Sequence, residues 1–341
     1  MLWLSSFLEN RQARVRFNGT LSGSRIIPQG LPQGSVLAPI LFIFYINELA
    51  KTIPQNLVTA MYADDVSLLA SARSLATAED IAQAGVDAVV RWSDSWKLNL
   101  NGSKSEASFF TLNTAETSYR PTFTVNGTTI LYKATPKFLG VTLDRSLSFG
   151  PHVKNIRQKA LSKMRMLGAV ANTNWGWRKQ DLRKIYLSHI HSVLHYAGGS
   201  WQPWVSSTNI DLIERTQRRG LRKITGQGMS TPVEALRTEA GVESTNCTIR
   251  KNCIRSREKA LRLPDDHPRK IAFTTTAIKR LKSRKDVRVV AENLSKTIPE
   301  LSSIPRNPLT YFDIPPWQRG IGNLEVSPFL AGIENKDAQT S

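Results

Sequence analysis

Three short stretches of the first part of the chain have a strand-like pattern, and a turn sequence interrupts each stretch. Apolar and polar positions alternate in the first and third stretches, and apolar runs flank the turn in the middle stretch. Asn18-Gly19 interrupts the first and Asn126-Gly127 the third, while the middle stretch, Leu57 to Ala70, surrounds Tyr62-Ala63-Asp64-Asp65. Asn-Gly between alternating residues is a strong signal for a two-residue hairpin turn. Apolar runs on both sides of a polar turn predict a hairpin for the middle stretch as well. The sequence therefore predicts three β-hairpins, and the second has two carboxylates at its tip.

A helical period replaces this alternation elsewhere. The apolar run around Pro39 predicts a buried helix over residues 36–49, capped by Ser35, and Thr77-Ala78-Glu79-Asp80 resembles a capping box that opens a second helix. From Pro151 to about Leu263 the pattern is helical, and it predicts helices over 154–171, 178–196, 209–225 and, interrupted near Gly241, 230–262; beyond Leu263 the period fades. Strands and helices alternate up to about residue 145 and helices follow, so the fold class is α+β with an all-α region after it.

Charge limits the class of partner. Lys and Arg number 46 against 27 Asp and Glu, which gives a net charge of +19 and favours a polyanion such as nucleic acid. A membrane-surface protein is disfavoured, because no cationic face stands opposite a strong apolar face. The two cysteines argue against a disulfide scaffold and favour a reducing, intracellular setting. Residues 1–10 lack signal-peptide features, and the run Val36–Ile46 is too short to cross a bilayer.

Asp64 and Asp65 are the candidate catalytic residues. Adjacent carboxylates on a rigid turn repel each other, and a divalent cation offsets that repulsion. Nucleotidyl transfer uses two Mg²⁺ ions held by such carboxylates. A further carboxylate is usually needed, yet Asp64 is the first aspartate of the sequence, and Glu9 and Glu48 are the only acids before it. A solvated acidic turn is the alternative, which the flanking apolar strands disfavour.

The segment Gly30-Leu31-Pro32-Gln33-Gly34-Ser35 stands before the first predicted helix. Gly34 permits close approach of the backbone to a ligand, and the Gln33 amide can donate and accept hydrogen bonds there. A Gly/Pro turn before a helix is also common for purely structural reasons. Its position shortly before the Asp64-Asp65 hairpin makes it a second candidate site element.

The two elements in this order resemble the reverse transcriptase of non-LTR retrotransposons, of the Jockey-like or I-like kind. The resemblance covers about residues 3–245 and continues through five further segments. These are Trp96–Asn101 followed by Ser103–Glu106, then Phe138–Asp144, Tyr196-Ala197-Gly198 with Trp201, Gln217-Arg218-Arg219 leading to Ile224-Thr225-Gly226, and Thr231–Leu236. Residues 263–341 resemble the connector that leads towards a ribonuclease H domain in many such elements.

The resemblance implies an RNA-directed DNA polymerase that uses an RNA template, a DNA primer, deoxynucleoside triphosphates and two Mg²⁺ ions. It makes Asp64 a metal ligand, with Asp65 close by to help with metal or primer terminus. It places Tyr62 near the primer end, and Gln33 and Gly34 under the template and the incoming nucleotide.

Further roles follow from the same resemblance. Lys104 becomes a candidate to offset charge on the departing pyrophosphate, although a solvated turn lysine is an equal alternative. Phe138, Leu139 and Gly140 would press on the primer backbone, although strand packing explains the first two as well. The predicted helix over 209–225 carries the cations expected to contact nucleic-acid backbone, which are Arg215, Arg218, Arg219, Arg222 and Lys223.

The expected domains are a partial polymerase palm (an antiparallel sheet with packed helices) at 1–147, a helical thumb and post-thumb region at 148–262, and an irregular, basic, Pro-rich, partly disordered connector at 263–341. In the family another aspartate, on an earlier strand, supplies the shared metal ligand. We therefore expect a chain truncated at the N-terminus and inactive alone, with a nuclear location expected from the family.

Two alternative functions remain at this point. One is a catalytically dead nucleic-acid-binding remnant of a decayed element. The other is a viral RNA-directed RNA polymerase, which the Tyr-x before the aspartate pair disfavours. His189, His191 and His195 could suggest a metal site, but residues two apart on a helix point to different faces, so packing is the preferred interpretation.

Overall fold

The structure is a computed structural model that describes residues 2–171, 176–275 and 287–298. It divides into two compact units, Met1–Pro136 and Lys137–Ser341. The division falls before the strand pair at 137–142, which the sequence analysis placed at the end of the palm. The palm, thumb and connector boundaries stay predictions.

The first unit mixes helices with short strands. Its helices are α1 (Leu2–Leu8), α2 (Ala38–Ile46), α3 (Leu49–Thr52) and α4 (Leu75–Ser95). Its strands are β1 (Gln12–Ala13), β2 (Arg16–Phe17), β3 (Thr20–Leu21), β4 (Arg25–Ile26), β5 (Val58–Tyr62), β6 (Asp65–Leu69), β7 (Glu106–Ala107), β8 (Thr124–Val125), β9 (Thr128–Thr129) and β10 (Leu131–Tyr132). Short 3₁₀ turns follow at Gly102–Lys104 and Thr114–Glu116.

These strands pair two by two. The pairs β1–β4, β2–β3, β5–β6 and β8–β9 are antiparallel, and the pair β7–β10 is parallel. Mixed helices and small, mostly antiparallel sheets agree with the predicted α+β class. The prediction of one antiparallel sheet is wrong for the described residues: they form separate pairs. A parallel pair needs a long crossover, which the segment between β7 and β10 supplies.

Turn chemistry explains the two Asn-Gly hairpins. Asn18 and Gly19 have φ of 47° and 83°, and Asn126 and Gly127 have φ of 47° and 74°. Positive φ at both central residues is the type I′ geometry, which matches the twist of the flanking strands and selects Asn-Gly. Both predicted hairpins are confirmed, as β2–β3 and β8–β9.

Helix α4 carries the core of the first unit. Its residues Gly85, Ala88, Val89 and Trp92 are buried, and Val89 and Trp92 pack with the buried residues Ile46, Leu49, Ile53 and Leu57. The predicted start at Thr77 is wrong. Ser74 is the N-cap, since its side chain accepts from the Thr77 backbone N–H, and this satisfies one of the four unpaired N–H groups at a helix start.

Helix α2 differs from its prediction in length and burial. It is interrupted after Ile46 and resumes as α3, and Ile46 is its single buried residue, while Ile40, Ile43 and Phe44 are more than half exposed. A helix that is apolar all round gives no sequence signal for which side meets the core. Only the side next to α3 and α4 does so here.

The second unit begins with one hairpin and continues with helices. Its strands are β11 (Lys137–Phe138) and β12 (Val141–Thr142). Its helices are α5 (Gly150–Val170), α6 (Lys179–Ile185), α7 (Ser192–Leu194), α8 (Gly198–Trp201), α9 (Ser207–Thr225), α10 (Val233–Ala240), α11 (Thr245–Leu261), α12 (Pro268–Thr274) and α13 (Val287–Thr297). A π-helical segment, Tyr186–His191, joins α6 to α7, and a 3₁₀ turn, Gln202–Trp204, follows α8.

Helices α5 and α9 pack against each other in the core of this unit. Large side chains that are fully buried surround the contact, and they include Val153, Tyr186, Ile190, Leu194, Trp201, Ile213 and Leu221. The helices predicted between 154 and 262 are confirmed. Helices α12 and α13 were not predicted, because the first is short and the second packs through one buried position, Ala291. No described helix is long and apolar enough to cross a membrane.

Candidate functional site

The Tyr62-Ala63-Asp64-Asp65 segment forms a two-residue hairpin turn. Tyr62 and Asp65 are the last register partners of β5 and β6, so Ala63 and Asp64 are the two turn residues. Ala63 has φ of 51°, in a region that costs a non-glycine residue roughly 1–2 kcal/mol. Such strain is found most often at functional sites. The predicted strand–turn–strand geometry around Asp64 is confirmed.

The two faces of this hairpin differ. The partners Met61 and Val66, with Leu68, pack against the α4 core. The partners Tyr62 and Asp65 lie on the opposite face, where the Tyr62 side chain is 66% exposed. One face therefore fixes the hairpin, and the other presents a tyrosine and a carboxylate to solvent.

Both carboxylates at this tip are available to bind a ligand. Asp64 and Asp65 are exposed, and no hydrogen bond or ion pair holds either side chain within the part of the chain that the structure describes. Free carboxylates suit Mg²⁺, which proteins bind through one or two carboxylates together with water and substrate phosphates. The described residues contain no group of three Asp, Glu, His or Cys that could complete a protein-only metal site.

The two earlier glutamates are engaged elsewhere. Glu48 forms an ion pair of 2.8 Å with Lys51, and Glu9 accepts a hydrogen bond of 2.5 Å from the Ser5 hydroxyl. Both side chains are therefore held by near neighbours in the sequence. The residues that fit a metal at this hairpin are thus Asp64 and Asp65.

Gln33 and Gly34 form the centre of a β-turn. The Ser35 N–H donates to the Pro32 carbonyl at 3.2 Å, and Gly34 has φ of +87°, as the third residue of a type II turn requires. The Ser35 hydroxyl accepts from the Leu37 N–H at 3.2 Å, so it stabilises the approach to α2 and does not cap the helix directly. The place of Gln33 and Gly34 under the template and the incoming nucleotide stays a prediction.

Lys104 ends the 3₁₀ turn that follows α4. The Asn101 side chain accepts from the Lys104 backbone N–H at 3.1 Å and fixes the turn. The Lys104 side chain is exposed, and its ammonium joins no ion pair within residues 2–136. A free cation on a fixed turn is compatible with the predicted contact to pyrophosphate, which the structure leaves as a prediction.

The hairpin β11–β12 contains Phe138, Leu139 and Gly140. Leu139 and Gly140 are its turn residues, with φ of 43° and 85°. Phe138 is half-buried, while Leu139 and Gly140 are exposed. The tip is therefore open to a ligand, as the predicted contact with a primer backbone requires.

Helix α9 presents three of its five predicted cations as a stripe. Arg215, Arg219 and Lys223 are exposed and four residues apart, so they lie on one side of the helix. Arg218 is half-buried. Arg222 donates to the carbonyls of Gly228 and Met229, both at 3.2 Å, and thus fixes the loop after α9.

Helix α5 adds a basic surface that the sequence analysis did not single out. A Cβ at Gly150 would meet the Asn209 side chain, and one at Gly168 would meet Lys223, so α5 and α9 run parallel, side by side. Helix α5 contains no acidic residue and five cations, which are Lys154, Arg157, Lys159, Lys163 and Arg165. Among described residues none of them joins an ion pair. A helix with five cations and no acid was the available sequence signal.

The contacts of His191 and His195 support a role in packing and not in metal binding. The rings of His191 and His195 are 4.4 Å apart, and the Gln202 amide contacts His195 Nδ1 at 2.9 Å. Burial lowers the pKa of His195 to about 3 and also lowers the pKa of His191. Both rings are therefore neutral at pH 7, and they pack against each other.

Comparison with known proteins finds a family match and several similar proteins for this chain. The family described as "Reverse transcriptase (RNA-dependent DNA polymerase)" matches residues 1–143. The chain is 31% identical over 235 residues to the RNA-directed DNA polymerase from mobile element jockey of Drosophila melanogaster, an alignment that covers 66% of this chain and 25% of the relative. It is 28% identical over 281 residues to the jockey polymerase of Drosophila funebris, covering 79% of this chain and 29% of the relative.

A third relative carries a different element name. The chain is 29% identical over 228 residues to the probable RNA-directed DNA polymerase from transposon BS of Drosophila melanogaster, which covers 65% of this chain and 25% of that protein. The chain thus spans a quarter or slightly more of the length of these relatives. Residues 1–143 thus match the reverse transcriptase family, and the chain is similar to the RNA-directed DNA polymerases of these mobile elements.

Proposed function

We propose that this chain is part of an RNA-directed DNA polymerase of a non-LTR retrotransposon and that the β5–β6 hairpin carries its catalytic carboxylates. The observation that carries the proposal is the exposed, uncommitted Asp64-Asp65 pair on a hairpin whose other face is fixed to the α4 core. The reverse transcriptase match over residues 1–143 supports it. The substrates would be a primed RNA template and deoxynucleoside triphosphates.

The reaction assigns a role to each side chain. The primer 3′-oxygen attacks the α-phosphorus of the nucleotide, a new P–O bond forms, and the bond to pyrophosphate breaks. Asp64 would hold Mg²⁺, with Asp65 beside it, and the ion would supply neutralisation of charge on the attacking and leaving oxygens. The exposed Tyr62 ring would pack near the primer end.

The remaining positions complete the proposal. Residues 1–147 would form the palm, and the turn at Gln33-Gly34 would lie under the template and nucleotide. Lys104 would offset charge on the pyrophosphate. The hairpin β11–β12 would contact the primer backbone. The parallel helices α5 and α9 would form a thumb surface on which phosphates meet unpaired cations.

A chimera tests the catalytic assignment. The aligned 235-residue segment of the Drosophila melanogaster jockey polymerase is replaced by the matching part of this chain, and primer extension on RNA is measured in Mg²⁺. We expect extension by the chimera and a loss of ~10²–10³-fold in its Asp64→Ala variant, the size of a lost electrostatic contribution to the transition state. Asp94→Ala, which removes an exposed acid of α4, should keep the rate. An active Asp64→Ala chimera would exclude Asp64 as a metal ligand.

A further inference from the structure

Tyr196 and Trp201 belong to a motif that the proposed function leaves without a role. Tyr196 lies between α7 and α8 and is 54% exposed, whereas Trp201 ends α8 and is fully buried. Both are far along the chain from β11–β12, yet Tyr196 contacts this hairpin directly and Trp201 is connected to it through Tyr196 and His152. Their contacts define what we call the hairpin latch, formed by Tyr196, Trp201 and His152.

The first contact of the latch is at the hairpin tip. The Tyr196 hydroxyl donates to the Leu139 carbonyl at 3.1 Å. The Tyr196 ring also closes over Gly140, where an added Cβ would lie 3.0 Å from a ring carbon. The missing side chain at Gly140 thus permits both the positive φ of the turn and the approach of the tyrosine.

The second contact is on strand β12. His152, on α5, accepts from the Thr142 N–H through Nδ1 at 3.2 Å. The His152 ring meets the Trp201 ring edge to face, with centroids 4.6 Å apart at 81°. The hairpin is therefore held at its tip and along its second strand.

Trp201 joins these two contacts. Its indole N–H donates to the Tyr196 carbonyl at 2.8 Å, while its ring lies against His152. Strands β11 and β12 have only two register pairs, Lys137 with Thr142 and Phe138 with Val141. A hairpin this short is unstable alone, so its conformation depends on the groups that hold it.

We propose that Tyr196 is a positioning residue that, with Trp201 behind it, latches the β11–β12 tip in the single conformation that meets a primer backbone. The contact with primer rests on the proposed function; the latch itself does not. Removal of one hydrogen bond should raise the equilibrium population of the opened tip about fivefold, which is the factor that corresponds to the net free energy of a typical hydrogen bond.

Hydrogen exchange of the full chain tests the latch without nucleic acid. In Tyr196→Phe we expect the amides of residues 137–142 to exchange about fivefold faster. Tyr132→Phe is the matched control, because the Tyr132 hydroxyl makes no hydrogen bond among the described residues. Unchanged exchange at 137–142 in Tyr196→Phe, or the same change in both variants, would overturn the latch.

Binding to RNA–DNA hybrids tests the positioning role. The dissociation constants for a hybrid with a recessed DNA 3′ end and for a blunt hybrid are compared by fluorescence anisotropy. We expect Tyr196→Phe to weaken binding to the recessed end several-fold and to leave the blunt hybrid unchanged, a difference that a loss of stability would not produce. Equal effects on both hybrids would overturn the positioning role. Absence of hybrid binding by the unsubstituted chain would instead refute the proposed function, while the exchange result would still decide the latch.

Discussion

The cation stripe of α9 gives a prediction whose size follows from the structure. Arg215, Arg219 and Lys223 are exposed on one side of the helix, while Arg222 is tied to two backbone carbonyls. We therefore replace Arg215, Arg219 and Lys223 by Gln and leave Arg222 in place. Binding of the full chain to an RNA–DNA hybrid is then measured by anisotropy as a function of salt concentration.

The magnitude follows from counterion release. If about five phosphates are neutralised by α5 and α9, the slope of log affinity against log salt is roughly −4, so affinity falls about 250-fold between about 50 and 200 mM salt. Loss of three of the five contacts should reduce the slope to roughly −1.6, which corresponds to about ninefold over the same range.

A matched variant separates the stripe from net charge. Lys179, Lys251 and Lys296 each form an ion pair with a glutamate. Their replacement by Gln removes the same formal charge, but from positions where a glutamate already neutralises the lysine. We expect this control to change the slope by less than about one. Equal flattening by both triple variants would show that binding follows total charge, and no flattening by the stripe variant would exclude α9 as the interface.

Three further results are expected. The 341-residue polypeptide alone should incorporate no deoxynucleotide on a primed RNA above background, because Asp64 and Asp65 provide only part of a metal-ligand set; robust incorporation that Asp64→Ala abolishes would contradict this. Asp144→Asn should lower the unfolding free energy measured with urea by ~2 kcal/mol. Both oxygens of the Asp144 carboxylate accept backbone N–H groups, and an amide nitrogen cannot accept one. Asp211→Asn, at an exposed acid, is the control. Burial lowers the pKa of His152 from 6.5 to about 4, so its neutral form stabilises the fold above pH 6.5. This contribution is lost as pH falls from 6.5 towards 4, and the unfolding free energy should then fall by up to ~1.4 kcal/mol per pH unit. His152→Gln should flatten that pH dependence of the unfolding free energy, and an identical pH dependence in both proteins would refute the assignment.

Local chemistry explains which parts of the fold could be predicted. Asn18-Gly19 and Asn126-Gly127 specify a turn type by themselves, and the helices between 154 and 262 show a long apolar period. The start of α4 could not be read in the same way, because Ser74 and Thr77 are both acceptable caps and only their backbone geometry distinguishes them. The parallel pairing of β7 with β10 is absent from the sequence pattern, since a two-residue strand has no period.

The features of the site that could not be predicted from the sequence are contacts between residues that are far apart along the chain. The hydrogen bond from Tyr196 to Leu139 spans 57 residues, and the parallel placement of α5 beside α9 depends on the packing of the whole second unit. The sequence could name Tyr196, Leu139 and the cations of α9 separately. It could not indicate that the tyrosine holds the hairpin, or that a second basic helix lies beside the first.

Two aspartates show why the availability of a side chain must be read from the structure. Asp64 and Asp144 both stand near the end of a short apolar strand and look alike in the sequence. The Asp144 carboxylate accepts from Ser146, from the hydroxyl and backbone of Ser148 and from the Phe149 N–H, and the hydrogen bonds to Ser148 and Phe149 outweigh its burial and lower its pKa. Its lone pairs are used to hold the turn before α5. The Asp64 carboxylate accepts no hydrogen bond from any described residue, so its lone pairs remain available to a cation, and this difference is what makes Asp64 the candidate ligand.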